Sequence, residues 1–216
     1  MSIFVIYDKI LLLGVMDMNE RIIEIIKDEV MKRCYSPNNT CGVGAWTHHI
    51  NIVYILATKM ASNYKADLEI VRLAALLHDI ASVTDESYLD NHHIIGAKIA
   101  EELLRELNYP AEKIKRIQNC ILNHRGSVLK EKHTPEEICI SDADAMTHFY
   151  NLPSLFSLVY KERNLDIDEG TLFIKNKLER SYNKLSDMGK KIVKDQYNAA
   201  MKILDVSQIA INDRTK

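Results

Sequence analysis

The chain has 216 residues, of which 47% are apolar and 27% charged. That is enough to bury one sizeable core, and it is ordinary for a soluble globular protein. A formal net charge of −2 gives no general attraction to nucleic acid or to an anionic membrane, so neither is an expected partner. Seven glycines and four prolines are few for this length. Strand-and-turn folds need more of both at their corners, so an all-α fold is expected. The four cysteines, Cys34, Cys41, Cys120 and Cys139, make no C-x-x-C pair. This excludes zinc-knuckle and thioredoxin-type motifs and points to free thiols in a reducing, cytoplasmic compartment.

The first stretch, MSIFVIYDKILLLGV, is apolar but interrupted by Asp8 and Lys9. It is too short to span a membrane and has no basic leader with a small-residue cleavage site. Residues 1–18 read as an N-terminal extension. They are either a short element packed on the domain or an upstream stretch before a start at Met16 or Met18.

Ile22, Ile23, Ile25, Ile26 and Val30 predict a first helix from about 19 to 33. CYSPNNTCGVGA is a loop. A second helix runs from about 47 to 62, with Val53, Leu56, Ala57 and Met60 facing inward. Asp67 can cap a third, in which IVRLAALLHDI is apolar almost all round, as expected of a central helix. After the loop ASVTDESYLD, Asp90 or Asn91 is the expected cap of a helix with a small-residue face, Gly96, Ala97 and Ala100. Pro110 is expected at the first position of the helix carrying Ile114, Ile117, Ile121 and His124. Thr134-Pro135-Glu136-Glu137 is a strong start signal, with a cap, an N1 proline and a capping-box glutamate. It fixes Asp142 and Asp144 inside a helix. From Leu152 to about Val206, two or three further helices are expected, with polar junctions near Asn164 and Ser186. The lysines of this last third read as a solvated helix surface. No repeat or linker divides the chain. A helical domain over 19–150 is expected, with the helices of 151–216 packed on it.

The histidines are unevenly placed. His78-Asp79 follows the most apolar run, where a charged carboxylate is costly unless a cation or hydrogen bonds compensate it. Alone, the pair reads more readily as a structural one in which the Asp orients the ring. His49, however, begins an inward helix face, His92 opens a helix, His124 ends one, and Asp144 lies within another. Five helices thus offer ligand-type side chains, mostly near their ends. Imidazole with carboxylate suits Mn, Fe, Co, Ni or Zn.

At these residues the chain resembles the HD-domain metal-dependent phosphohydrolase superfamily. HINIVYILA around His49, RLAALLHDI around His78-Asp79 and ISDADAM around Asp144 follow the family order, and HHIIGAKIAEELL and ILNHRGS look like its intermediate segments. The resemblance covers roughly 46 to 149 and implies a single-domain HD-type helical bundle. It further implies that His49, His78, Asp79 and Asp144 hold a divalent ion (Mn, Fe, Co, Ni, Mg or Zn). The register favours His49 over its neighbour His48, and Asp144 over Asp142, which is placed beside the ligands. His92 and His124 resemble either ligands of a second ion or, in one-metal relatives, groups that contact phosphate or donate a proton.

The implied activity is hydrolysis of a phosphomonoester or phosphodiester, of a nucleotide, by a metal-activated water. Asp79 would orient the water and Arg125 would grip a phosphate, with Lys98 and Arg72 as weaker candidates. His93, His133 and His148 read as polar residues near helix ends, His148 lying one turn after Asp144. No phosphate-binding or dinucleotide glycine motif and no G-x-S-x-G is present. A non-catalytic nucleotide-binding module on the same fold is the alternative function, and a homo-oligomer is compatible with the sequence.

Overall fold

The computed structural model describes residues 17–42, 44–125 and 132–212, with side chains through 205. The apolar stretch from Met1 and the end of ILNHRGS lie outside the described residues. Among those residues there are nine α-helices and no strand.

α1 (Met18–Cys34) begins at Asp17, whose carboxylate accepts from the Asn19 amide, and buries Ile22, Ile23, Ile26 and Val30. The second predicted helix starts earlier than expected, as a π-helical turn over Ala45–Ile50 that runs directly into α2 (Asn51–Tyr64). α3 (Leu68–Leu77) is capped by Asp67, which accepts from the amides of Glu69 and Ile70, and seven of its ten residues are buried. That matches its predicted central place. It ends one residue before the His-Asp pair, so His78 and Asp79 stand in the turn beyond it rather than on its flank.

A 3-10 turn over Glu86–Asn91 runs straight into α4 (His92–Glu106). Neither Asp90 nor Asn91 therefore caps α4 with its side chain. Asp85 caps the 3-10 turn instead, accepting from the Ser87 amide at 2.9 Å. α5 (Ala111–Asn123) begins one residue later than expected, leaving Pro110 at the cap in extended conformation. α6 (Pro135–Tyr150) starts as predicted, with the Glu137 amide donating to Thr134 Oγ1 at 3.2 Å. The Glu137 carboxylate closes the box one residue early, on the His133 amide, and ties in Asn123 Nδ2 at 2.8 Å.

α7 (Leu152–Phe156) continues as a second π-helical turn, Ser157–Glu162. The chain then turns at Asn164, where φ is +50°, into α8 (Ile167–Lys184), and turns again at Ser186 into α9 (Asp187–Asn212).

α6 is the hub. Thirteen of its sixteen residues are buried, and it touches α2, α3, α5, α7, α8 and α9. α4 covers α5, and α1 and α2 flank α3. One continuous core runs from Ile22 to Leu204 and includes Ile174, Leu178 and Val193 of the last two helices. The described residues therefore form a single all-α domain. The four cysteines are free thiols, and burial pushes Cys34 up to about 12 and Cys41 up to about 11.

Candidate metal centre

α3 delivers His78 and Asp79 to a cleft, and four other segments converge on it. His49 comes from the π turn, where an i→i+5 pattern inserts a residue and re-aims the side chains after it. His48, beside it, is exposed and sends its carbonyl to Asn151 Nδ2 at 2.8 Å. His92 comes from the first residue of α4, His124 from the end of α5, and Asp144 and His148 from one face of α6.

The contacts centre on Asp79. Its Oδ2 lies 3.1 Å from His49 Nε2 and 3.5 Å from His78 Nε2. Its Oδ1 lies 3.5 Å from His124 Nε2 and 3.7 Å from His92 Nε2. Asp144 Oδ1 lies 3.5 Å from His49 Nε2. Three overlapping groups have ligand atoms all within 4.8 Å of one another: His49 with His78 and Asp79, Asp79 with His92 and His124, and His49 with Asp144 and His148.

The hydrogen bonding behind these rings fits a metal. His78 Nδ1 lies 2.8 Å from the Ala75 carbonyl, His92 Nδ1 2.8 Å from that of Leu89, and His124 Nδ1 2.6 Å from that of Ile121. A carbonyl only accepts, so each Nδ1 carries the hydrogen and, in the neutral ring, each Nε2 lone pair points into the cleft. His78 Nε2 faces His49 Nε2 at 3.2 Å, and His49 Nε2 donates to Asp79 Oδ2 at 3.1 Å, so a bound ion would replace the His49 proton between them. Burial pushes His78 down to about 4, which keeps it neutral and ready to ligate.

Burial alone would raise the Asp79 carboxyl, but His78, His124 and His49 around it hold it well below the usual carboxylate range. The same holds for Asp144, where burial is outweighed first by Lys184 and then by His49. For His49, burial works against the charged form, while the hydrogen bond to Asp79 and the charges of Asp79 and Asp144 raise it. Two ionised carboxylates with several imidazoles, among them the neutral His78, are a donor set for a divalent cation.

Asp142 faces elsewhere. It is fully buried and accepts from Tyr64 Oη at 2.6 Å, from the Ser186 amide at 2.9 Å and from Ser186 Oγ. This knot joins α2, α6 and the α8–α9 junction, so the expectation that Asp142 stands beside the ligands is corrected. Arg72 is likewise committed elsewhere, to Glu20 and, at 2.8 Å, to Tyr54 Oη. Lys98 is exposed and lines neither cleft described below. Arg125 lines the site, donating to the Asp90 carbonyl. His93 is buried against the His92 ring, and His133 is exposed. His148, read from the sequence as a peripheral polar residue, is buried in the site. It stacks on His49 at 5.9 Å and meets Ser181 Oγ at 3.0 Å.

Sequence reasoning missed α8. Lys184 Nζ is buried and donates to Asp144 Oδ2 and, at 2.8 Å, to the His124 carbonyl. Lys177, Arg180 and Ser181 line the same cleft. A signal was present: Ile174, Leu178, Ser181 and Leu185 step at helical spacing along the inward face, and Lys184 falls beside that stripe. Two adjoining clefts, of about 520 and 500 Å³, share a wall formed by His49, Asp79, His148 and Lys177.

The family described as HD domain matches residues 46–147. Ribonuclease Y of Clostridium perfringens is 33% identical over 106 residues, 49% of this chain. The chain spans about a fifth of the length of the curated relatives it matches, 19% for this one. The Bacillus subtilis protein YpgQ superposes with a TM-score of 0.65 at 16% identity, covering 90% of this chain and 98% of its own, and it has also been solved with ADP. A predicted HD superfamily hydrolase of an uncultured Thermotogales bacterium superposes with a TM-score of 0.56 at 19% identity, covering 88% of this chain and 91% of its own. At these identities the structural likenesses establish the fold. The chain thus carries an HD domain over residues 46–147, on a fold that these solved proteins share along most of its length.

Proposed function

We propose that this protein hydrolyses a phosphomonoester or phosphodiester of a nucleotide, using a metal-activated water. The observation that carries this reading is the convergence of backbone-oriented Nε2 lone pairs on an ionised carboxylate. His49, His78, Asp79 and Asp144 would hold one ion. The split of the two Asp79 oxygens between two histidine pairs supports a second ion held with His92 and His124. When bound, a divalent ion supplies Lewis acidity, neutralising phosphoryl charge and lowering the pKa of a water to about 7 from 15.7.

The chain's own residues do the rest. Asp79, kept ionised, orients the attacking water through its carboxylate. The backbone bonds to Ala75, Leu89 and Ile121 fix the ring planes of His78, His92 and His124, so that little reorganisation accompanies reaction. Arg125 presents a planar fork at the mouth for a phosphate. Leu89 and Leu158 line both clefts with apolar surface and limit access of bulk water. A nucleotide substrate is supported by the ADP complex of YpgQ and by a cleft within the usual size of small-ligand sites.

The test is metal analysis of purified protein beside phosphate release from a nucleotide panel with added Mn, Mg, Co or Ni. One or two equivalents of metal and metal-stimulated release, both lost in His78→Ala, are the expected result. No metal and no turnover would assign the cleft to nucleotide binding without catalysis.

A further inference from the structure

The two lysines of α8 that reach the site differ in what they touch. Lys184 is spent: both its partners, the Asp144 carboxylate and the His124 carbonyl, belong to the protein. Lys177 lies two turns earlier on the same helix face. Among the described residues its ammonium has no hydrogen bond and no carboxylate within ion-pair distance, yet it lines both clefts. Its surroundings are electrostatically mixed: Asp144 and Asp79 attract its charge, while Lys184 and Arg180 oppose it. A half-buried ammonium without a fixed partner is costly to hold, and a ligand anion between it and the metal ligands would supply that partner. Arg163, which also lines both clefts, is packed over the Phe173 ring at 4.8 Å, whereas the charge of Lys177 interacts with both Asp144 and Asp79.

We infer that Lys177 grips a phosphate group of the substrate, placing it against the His49–Asp79–Asp144 ligands. This deepens the reading of the site as a phosphohydrolase and rests on it. The residue lies outside the segment 46–147 that the HD-domain family matches, so the grip belongs to the C-terminal helices.

The experiment compares full-length wild type with Lys177→Met and Lys177→Arg. Metal content and helical circular dichroism are recorded, together with KM and kcat on the best nucleotide of the panel and binding of inorganic phosphate and of its methylene-bridged analogue. Lys177→Met is expected to keep wild-type metal content and helicity, to raise KM at least tenfold and to weaken analogue binding by a similar factor. Lys177→Arg, which keeps the charge, is expected to recover most of both. Wild-type KM and analogue affinity in Lys177→Met would overturn the assignment of Lys177 alone. A metal-loaded wild type that neither binds nor cleaves any phosphorylated compound would overturn the reading of the site and the lysine's role with it. Loss of metal in Lys177→Met would make the residue a support of the metal ligands and would also overturn the grip.

Discussion

Asp142 and Asp144 stand two positions apart on α6. At 3.6 residues per turn their side chains leave the helix about 200° apart, so one faces the metal centre and the other faces α2 and Ser186. Their substitutions should separate cleanly. Asp144→Asn is expected to lose metal and activity while retaining helical content. Asp142→Ala leaves Tyr64 Oη and two Ser186 donors without their acceptor. It should cost about 3 kcal/mol of stability in urea unfolding with metal stoichiometry unchanged. A metal-free Asp142→Ala would instead mean that this carboxylate reaches the ions. That Asp144 faces the cleft was legible because the family register spans the segment, but the knot at Asp142 was not, since Ser186 lies 44 positions away and carries no motif. Lys184 poses the same difficulty. Lys184→Met would leave Asp144 buried without its fixed countercharge, at a cost of about 3 kcal/mol to the metal-free protein. Added divalent metal should recover part of that loss in thermal unfolding, because an ion supplies positive charge at the same carboxylate.

At the scale of elements, boundaries follow local chemistry wherever a cap is strong. Asp67 and Thr134 start α3 and α6 at the positions their sequences predict, and Thr134→Ala should cost about 1 kcal/mol. Where a tighter or wider turn feeds a helix, the prediction slips. The π turn before α2 and the 3-10 turn before α4 have no distinct sequence signal, and both lie beside site histidines. The helix junctions also depend on close backbone approach. A Cβ on Gly189 would meet the Asp142 carboxylate, and one on Gly170 would meet the Tyr160 ring. Gly189→Ala should therefore destabilise by about 1–3 kcal/mol through overpacking, measured by denaturant midpoint. By contrast, Gly96 has only ordinary contacts around a virtual Cβ, the nearest at 3.5 Å, and Gly96→Ala should be tolerated.

On the scale of the whole molecule, helical class and the central place of α3 were readable from composition and periodicity. The share of α8 in the site was not, because its inward polar residues look like surface lysines until the partner helix is known. α8 and α9 bury Ile174, Leu178, Val193 and Leu204 in the common core. A chain truncated after residue 164 should accordingly expose the α6 face they cover and lose cooperative thermal unfolding, even though the whole matched segment remains. Retention of a sharp transition and of metal by that fragment would show that the C-terminal helices are accessory.

The bond from Lys184 to Asp144 also has a temporal side. Synthesis proceeds from the N-terminus, so His49, His78, Asp79, His92, His124 and Asp144 have all left the ribosome before Lys184 does. Because α8 and α9 also complete the common core, the folded cluster and its built-in countercharge arrive together, at the end of synthesis.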